Sequence, residues 1–312
     1  MPEHVFVIVV TFNGAKFIDA CLKSVYESHC DVSVIVVDNN SSDDTVQIIQ
    51  SKYPHARLIR NERNAGFGGA NNTGINLALA EGGKFIFLLN QDTVVEPDAI
   101  PLLAAAMKDE NSYAILSPIH LNDSGKDLDG GFAKYVSNSV TRDRLATLQQ
   151  SKEHRILEVP FVNAAAWMIS AESLKRVGGF APLFFHYGED RDFVNRMHFQ
   201  RLKIGILTGS FIRHIREARH SHTAWGQAKL NKYYKTGWIA RASNINRSLL
   251  DGWIDGFTWS IKEAIYYLLN GNVKVFIAFF ISLVHLLILI PAITRHRTAV
   301  SSPTHFKFLS CE

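Results

Sequence analysis

Several things are scarce in this chain of 312 residues. Cysteine occurs three times, at Cys21, Cys30 and Cys311, an odd number with no Cys-x-x-Cys or Cys/His spacing. That argues against a disulfide framework and gives zinc no support, so free thiols in a reducing cytosol are expected. No dense run of Lys and Arg is present, and the formal charge of +4 is a mild excess. It suits anionic small molecules or an anionic membrane surface and is too weak to argue for nucleic acid. A signal peptide is lacking: Val5–Val10 is apolar but short, follows Glu3 and leads into polar sequence. The N-terminal part therefore reads as cytosolic. No helical His-x-x-x-His pair with a Glu base occurs, which removes zinc hydrolase chemistry. Internal repeats and low-complexity tracts are missing too. What remains, 47% hydrophobic and 20% charged residues, is ordinary globular material, enough for one large domain or two smaller ones.

The first 120 residues alternate strand and helix signals. Val5–Val10, Val32–Val37, Ala56–Arg60, Phe85–Leu89 and Tyr113–Ser117 are short β-rich runs, and the apolar ones lack alternation, as strands covered on both faces do. Helix-length stretches lie between them at 15–28, 43–52, 69–80 and 97–108. This order predicts an α/β fold with a mostly parallel sheet between helices. Ligands in such sheets sit beyond the carboxyl ends of the strands. The polar residues there are Thr11-Phe-Asn13, Asp38-Asn-Asn40, the loop Asn61–Asn72 and Asn90-Gln-Asp92, which should converge on one crevice. Farther on come the apolar run Phe161–Ser170, a Gly-Gly-Phe turn at 178–180, a helix over 189–200 and a strand at Ile204–Leu207.

Each polar candidate has a functional and a structural reading. Asp38, just past a buried strand, suits a base N3–H or a ribose hydroxyl, but Asp is also favoured in turns and caps. The Gly66-x-Gly68 pair permits close backbone approach ahead of a helix whose N–H groups would face anionic oxygens. It is not a dinucleotide fingerprint, because position 71 is Asn and the segment follows the third strand. Asp92 at a strand end suits a hard divalent cation that takes its other ligands from phosphates and water; the alternative is again a turn. Of Glu189, Asp190 and Asp192, one would remove a proton from an attacking hydroxyl, or all three complement a helix dipole. His214 ends a strand-like piece as a metal ligand, phosphate contact or surface residue, with His220 and His222 as competitors. Trp167 and His186 would face sugar or acceptor, although core packing explains Trp167 equally well.

Together these pieces resemble the family 2 glycosyltransferases, particularly their rhamnosyltransferase-like bacterial branch. The likeness runs over about residues 4–220, through Val9-Val-Thr-Phe-Asn-Gly14, Val36-Val-Asp-Asn-Asn-Ser-Ser-Asp-Asp-Thr45, Asn64-Ala-Gly-Phe-Gly-Gly-Ala-Asn-Asn-Thr-Gly-Ile75, Leu88-Leu-Asn-Gln-Asp-Thr93, Val177-Gly-Gly-Phe180 and Gly188-Glu-Asp-Arg-Asp192. The resemblance implies a GT-A fold and inverting transfer from a UDP- or dTDP-sugar, a hexose or a deoxyhexose such as rhamnose. By family analogy Thr11, Asn13, Asp38, Asn40, Asn64, Gly66, Asn90 and Gln91 would hold the nucleotide donor. Asp92, with His214, would hold Mg2+ or Mn2+; Asp190 would be the general base, with Glu189 beside it. The family's Asp-x-Asp appears here as Asn90-Gln-Asp92, with one carboxylate. The expected division is a catalytic domain over 1–222, with a nucleotide-binding half to 117 and an acceptor half from 118, and a helical extension over 223–312.

In that extension, Val275–Ile293 carries no formal charge, about the length that crosses a bilayer. Basic residues flank it on both sides (Lys262 and Lys274; Arg295, Arg297 and Lys307), so no orientation follows. Trp253, Phe257, Ile261, Ala264/Ile265 and Leu268 form an apolar stripe suited to an interfacial helix. The expectation is attachment to the cytoplasmic face of the membrane, near a glycan or lipid-linked oligosaccharide acceptor of surface polysaccharide synthesis such as O-antigen. The alternatives are a helix packed on the enzyme's own surface and, for the chain as a whole, a sugar nucleotidyltransferase or a degenerate carbohydrate-binding scaffold.

Overall fold

A computed structural model describes residues 3–136, 154–215, 226–301 and 308–309; His220 and His222 lie outside these. The chain opens with β1 (Val5–Thr11), α1 (Ile18–Tyr26), β2 (Val32–Asp38), α2 (Thr45–Lys52), β3 (Arg57–Arg60), α3 (Gly66–Ala80) and β4 (Phe85–Asn90). It continues with β5 (Thr93–Val95), α4 (Ala99–Asp109), β6 (Tyr113–Leu121), α5 (Gly130–Val136), β7 (Ile156–Glu158), β8 (Ala166–Ser170) and α6 (Ala171–Val177). α7 (Glu189–Phe199) and β9 (Lys203–His214) complete the sheet half, followed by α8 (Gln227–Ala242), α9 (Leu249–Leu269) and α10 (Val273–Ser301).

The nine-stranded sheet has the order β3-β2-β1-β4-β8-β6-β9-β5, with β7 also on β9. The first four strands are parallel, as the alternation predicts. The expected mostly parallel sheet needs one correction: β8 runs antiparallel to both β4 and β6, and β5 and β7 run antiparallel to β9. An antiparallel neighbour can be reached without the crossover connection that a parallel one requires.

Why the strands read as unbroken apolar runs is clear from the core. Phe6, Ile8, Ile35, Val37, Ile86 and Leu88 face one layer with α3, while Val5, Val7, Val9, Val34, Val36, Phe85, Phe87 and Leu89 face the other with α1 and α4. Successive side chains point to opposite faces and both faces are covered, so neither set is polar.

The C-terminal helices pack differently. The buried positions of α9 are Gly252, Gly256, Ser260 and Ala264, every fourth residue. A Cβ at Gly256 would enter the Trp238 ring, and one at Gly252 would meet the Arg241 carbonyl oxygen at 2.7 Å. Small side chains let the α8 and α9 backbones approach closely. α10 bends by 58° between Val273–His285 and Leu287–Ser301. Pro291 lies one turn beyond the bend; it has no N–H to give to residue 287 and its ring presses on that carbonyl. Among the described residues no single helix is long and apolar enough to cross a membrane, although the two halves of α10 together reach that composition.

Candidate active site

Register brings the predicted strand-end residues together. Thr11 pairs with Asp38 across β1 and β2, and Val10 pairs with Asn90 across β1 and β4. Three adjacent parallel strands therefore deliver Thr11, Asp38 and Asn90 to one edge. Asp38 is buried; its Oδ2 accepts the Ser41 N–H at 3.1 Å, while Oδ1 has no partner among the described residues. An orphaned buried acceptor at a strand end is where a ligand N–H or O–H would be satisfied.

Other predicted donor contacts serve the loops themselves. The Thr11 hydroxyl, fully buried, donates to Gln91 Oε1 at 2.6 Å. That same oxygen accepts the Phe12 N–H at 3.0 Å, and Gln91 Nε2 donates to the Phe12 carbonyl at 3.3 Å. Thr11 and Gln91 thus clasp the turn after β1 rather than standing free in the crevice. Asn13 (φ 47°) and Asn40 (φ 69°) adopt left-handed backbone and are exposed at the rim; Asn13 Oδ1 accepts the Ser42 N–H at 2.9 Å. Asn64 Oδ1 accepts the Gly66 N–H at 2.8 Å and starts α3.

Gly66 (φ 76°) leaves no room for a side chain, since a Cβ would enter the Phe185 carbonyl oxygen. A Cβ at Gly68 would meet the Phe180 Cβ at 2.7 Å and approach that of Glu189 to 3.8 Å. The glycine-rich segment is therefore the seam at which α3 meets the loop carrying the predicted base. Sequence reading missed the residue that organises this seam, Asn39. Its Oδ1 accepts from Asn61 Nδ2 (2.9 Å) and the Ala65 N–H (3.0 Å), and its Nδ2 donates to the Gly66 carbonyl (3.1 Å). The only available signal was an amide just past a buried strand.

Asp92 and His214 meet as expected. Thr93 pairs with His214 across β5 and β9, the Ile215 N–H donates to the Asp92 carbonyl at 2.8 Å, and His214 Nε2 lies 3.3 Å from Asp92 Oδ2. His214 is buried and Asp92 is 29% exposed, so the carboxylate faces outward with the imidazole behind it. Two neighbouring ligands of one octahedral cation at about 2.1 Å stand roughly 3 Å apart, so this oxygen and nitrogen fit a shared divalent ion. Among the described residues no cluster of three or more His, Cys, Asp or Glu side chains supplements them. The fit is that of a two-ligand site completed from outside the protein.

The acidic helix start splits into two roles. Gly188 (φ 90°) turns the chain into α7, and Glu189 follows buried, with Oε2 unpartnered among the described residues. Burial, then repulsion from Asp190, pushes the Glu189 carboxyl up to about 8. Asp190 is partly exposed; its Oδ1 accepts the Arg191 N–H at 2.7 Å, and desolvation raises its carboxyl above the ordinary value. Asp192 is structural. Burial works against its charge, but Arg196 (Nε to Oδ2, 2.8 Å) and His296 of α10 (Nε2 to Oδ1, 2.8 Å) hold the carboxyl below its usual range. Arg196 also donates to the Val177 and Gly179 carbonyls, so one buried network ties α7 to α10.

Trp167 is fully buried on β8, stacked on Phe180 at 6.3 Å and tilted against Phe193 at 5.8 Å. Its burial corrects the expectation of a sugar or acceptor contact in favour of core packing. His186 sits on the exposed loop against Tyr187, and burial of its ring followed by the charge of Lys232 lowers its pKa. Lys232, 5.4 Å over the Phe185 ring, was not foreseen as a neighbour of the site because it comes from α8.

With this geometry described, comparison with known proteins decides the family. A model of glycosyl transferase family 2 matches residues 6–178. The chain belongs to that family. A second model, described as the N-terminal domain of galactosyltransferase, matches residues 155–221. Among curated relatives, the low-salt glycan biosynthesis hexosyltransferase Agl10 of Haloferax volcanii is 28% identical over 216 residues, 66% of this chain and 65% of the relative. The N-acetylglucosaminyl-diphospho-decaprenol L-rhamnosyltransferase of Mycobacterium tuberculosis is 23% identical over 222 residues, 63% of this chain and 71% of the relative. A chondroitin synthase of Escherichia coli is 31% identical over 122 residues, 38% of this chain and 17% of the relative. The chain thus spans less than two thirds of the first two relatives' length in two very different degrees, 17% and 65%. Among solved structures, residues 1–349 of S. aureus TarS in complex with UDP align with TM-score 0.52 and 18% identity, over 77% of this chain and 65% of that one. The architecture is the GT-A fold of the family 2 enzymes, followed here by three helices.

Proposed function

We propose that this chain transfers a sugar from a nucleoside diphosphate sugar to a glycan or lipid-linked acceptor, with inversion at the anomeric carbon. The observation that carries the reading is two separate acidic stations, Asp92 with His214 on one side and Asp190 beside Glu189 on the other. In-line displacement needs charge stabilised on the leaving diphosphate and a proton removed from the attacking hydroxyl, by groups that do not neutralise each other. Asp38, with its free Oδ1, would take the base or ribose, and Asn13, Asn40 and Asn64 line the same rim. Asp92 and His214 would hold Mg2+ or Mn2+, which when bound neutralises the departing diphosphate.

On the acceptor side the environments of the two carboxyls separate their roles. Burial raises both carboxyls, and the charge of Asp190 raises that of Glu189 further, to about 8. Asp190 would then accept the acceptor hydroxyl's proton, while protonated Glu189 donates a hydrogen bond to a sugar oxygen. The names of the M. tuberculosis and H. volcanii relatives support a hexose or deoxyhexose such as rhamnose and a role in glycan assembly, and the UDP bound to TarS supports a nucleoside diphosphate carrier, which we take to be UDP or dTDP.

The proposal extends to an anionic membrane surface under the C-terminal helices, where Leu269 (82% exposed), Ile288 (70%) and Leu287 (62%) face outward. Free Cys21 and Cys30 support a cytosolic placement of the catalytic half.

The test is nucleoside diphosphate release over a panel of donors with Mg2+ or Mn2+. Asp190→Asn should lower turnover by about 10²–10⁴ while donor binding by calorimetry persists. Asp92→Asn should lose metal-dependent donor affinity; undiminished turnover in that variant would remove the metal assignment.

A further inference from the structure

One residue from the last helix touches the base-bearing loop at both of its ends. His296 lies in the second half of α10, Leu287–Ser301, and only 4% of its side chain is exposed. Its Nε2 donates to Asp192 Oδ1 at 2.8 Å, two residues after Asp190. A carboxylate only accepts, so the proton of this bond belongs to the imidazole. The same ring stands edge-on to Phe184 with centroids 6.4 Å apart, ahead of the loop. Phe184 in turn packs against Gly188, where an added Cβ would meet its Cδ1 at 3.0 Å. Phe308 stacks on the imidazole at 5.9 Å and lies under the Arg196 guanidinium at 5.5 Å, which fixes the plane of the ring.

The start of α7 depends on such an outside hold. Gly188 opens the helix with no side-chain cap, so nothing local secures the first turn. The Asp192–Arg196 pair lies within one helix, four residues apart, and cannot fix that helix against its surroundings. Arg196 anchors the second turn through the Val177 and Gly179 carbonyls. Among the described residues, the side-chain hydrogen bond that reaches the first turn from outside α7 is that of His296. Asp190 and Asp192 are two positions apart and so leave the helix about 200° apart. Drawing Asp192 inward therefore turns Asp190 outward, and Asp190 is partly exposed while Asp192 is buried.

We infer that His296 is a positioning residue for Asp190: by joining Phe184 to Asp192 from α10, it sets the direction in which the base meets the acceptor hydroxyl. This rests on the reading of Asp190 as the base, and it gives the last helix a part in the transfer step. Donor contacts at Asp38 and Asp92 belong to other loops, which His296 does not touch. Its loss should therefore misplace the base and leave the nucleotide station as it is.

The experiment uses the full chain with His296→Ala and with His296→Gln, whose amide keeps an N–H for Asp192; circular dichroism checks that both fold. Turnover is read as nucleoside diphosphate release from UDP-glucose and dTDP-rhamnose with Mn2+ and octyl N-acetylglucosaminide. His296→Ala should lower kcat by about 10–100-fold, with donor KM and UDP affinity unchanged. His296→Gln should recover part of that loss. In an Asp190→Asn background His296→Ala should add almost nothing, because a base that is gone cannot be misplaced. Hydrogen exchange should rise over residues 184–192 in His296→Ala and stay as it was in β1–β4. Additive losses in the double variant, or a fall in UDP affinity equal to that in kcat, would make His296 a stability residue alone and overturn the inference. So would unchanged exchange over 184–192, a readout that needs no turnover. Full turnover by Asp190→Asn alone would instead overturn the base reading on which the inference rests.

Discussion

The sheet half and helix α9 bury different kinds of residue. Around the sheet, Trp167, Phe87, Phe180, Phe193, Val5, Val7, Val9, Val34, Val36 and Val37 are inside, and polar groups collect at the strand ends. In α9 the buried face is Gly252, Gly256, Ser260 and Ala264, while Leu250, Ile254, Phe257, Ile265 and Leu269 remain exposed. A β-sheet sandwiched by helices gains by withdrawing apolar area from water. In α9 the small side chains let its backbone approach that of α8 closely, while larger apolar side chains stay outside that contact. The buried Asp192–Arg196–His296 network joins the two regimes at α7, two residues from Asp190.

Four substitutions would break or sharpen this contrast. The largest effect is expected from Trp167→Ala, which empties the sheet core and should cost about 3–5 kcal/mol in denaturant unfolding. A much smaller loss would mean that the site is accessible after all. Next is Gly256→Leu, which forces a side chain into Trp238 and should cost about 1–3 kcal/mol. Proteolysis should show the loss first in α8–α10, and an unaffected helical region would refute close packing by small residues.

A pH-dependent effect follows for Glu189→Gln. The folded chain keeps the Glu189 proton up to about 8, whereas the unfolded chain releases it near the ordinary 4.5. Between those values the folded state binds more protons, so native stability falls as pH rises. The glutamine variant should therefore melt a few degrees above the native protein at pH 8 and show no such advantage at pH 4. The smallest change in stability belongs to Ile288→Ser, within about 0.5 kcal/mol because the side chain is exposed. Its partition onto anionic vesicles should nevertheless drop, and unchanged partition would mean that this face does not meet lipid.

Much of the catalytic half was legible because its signals are local. Unbroken apolar runs marked β1, β2 and β4, and the polar residues after them located the crevice. The pairing of Asp92 with His214 was also anticipated, on family likeness rather than spacing. What escaped were contacts between residues far apart in the chain. Asn39 reads as one amide among several, Lys232 as one surface lysine in a helix, and Trp167 as an apolar run equally suited to a core or a ligand wall. The aromatic stripe of α9 was visible as a pattern, but a periodicity does not say which face is turned inward. Glycines of no evident purpose at 252 and 256 settled that, through what stands against them.

By itself the sequence determined the family, the α/β order of elements, the parallel first half of the sheet and the set of strand-end carboxylates. Those follow from residue periodicity and short motifs, which act over a few positions. Only the tertiary structure decided that β8 returns antiparallel, that Thr11 and Gln91 engage each other, and that His296 secures Asp192. It also separated Glu189 from Asp190, two adjacent acids of nearly equal intrinsic strength. Burial distinguishes them, and burial is a property of everything packed around a residue.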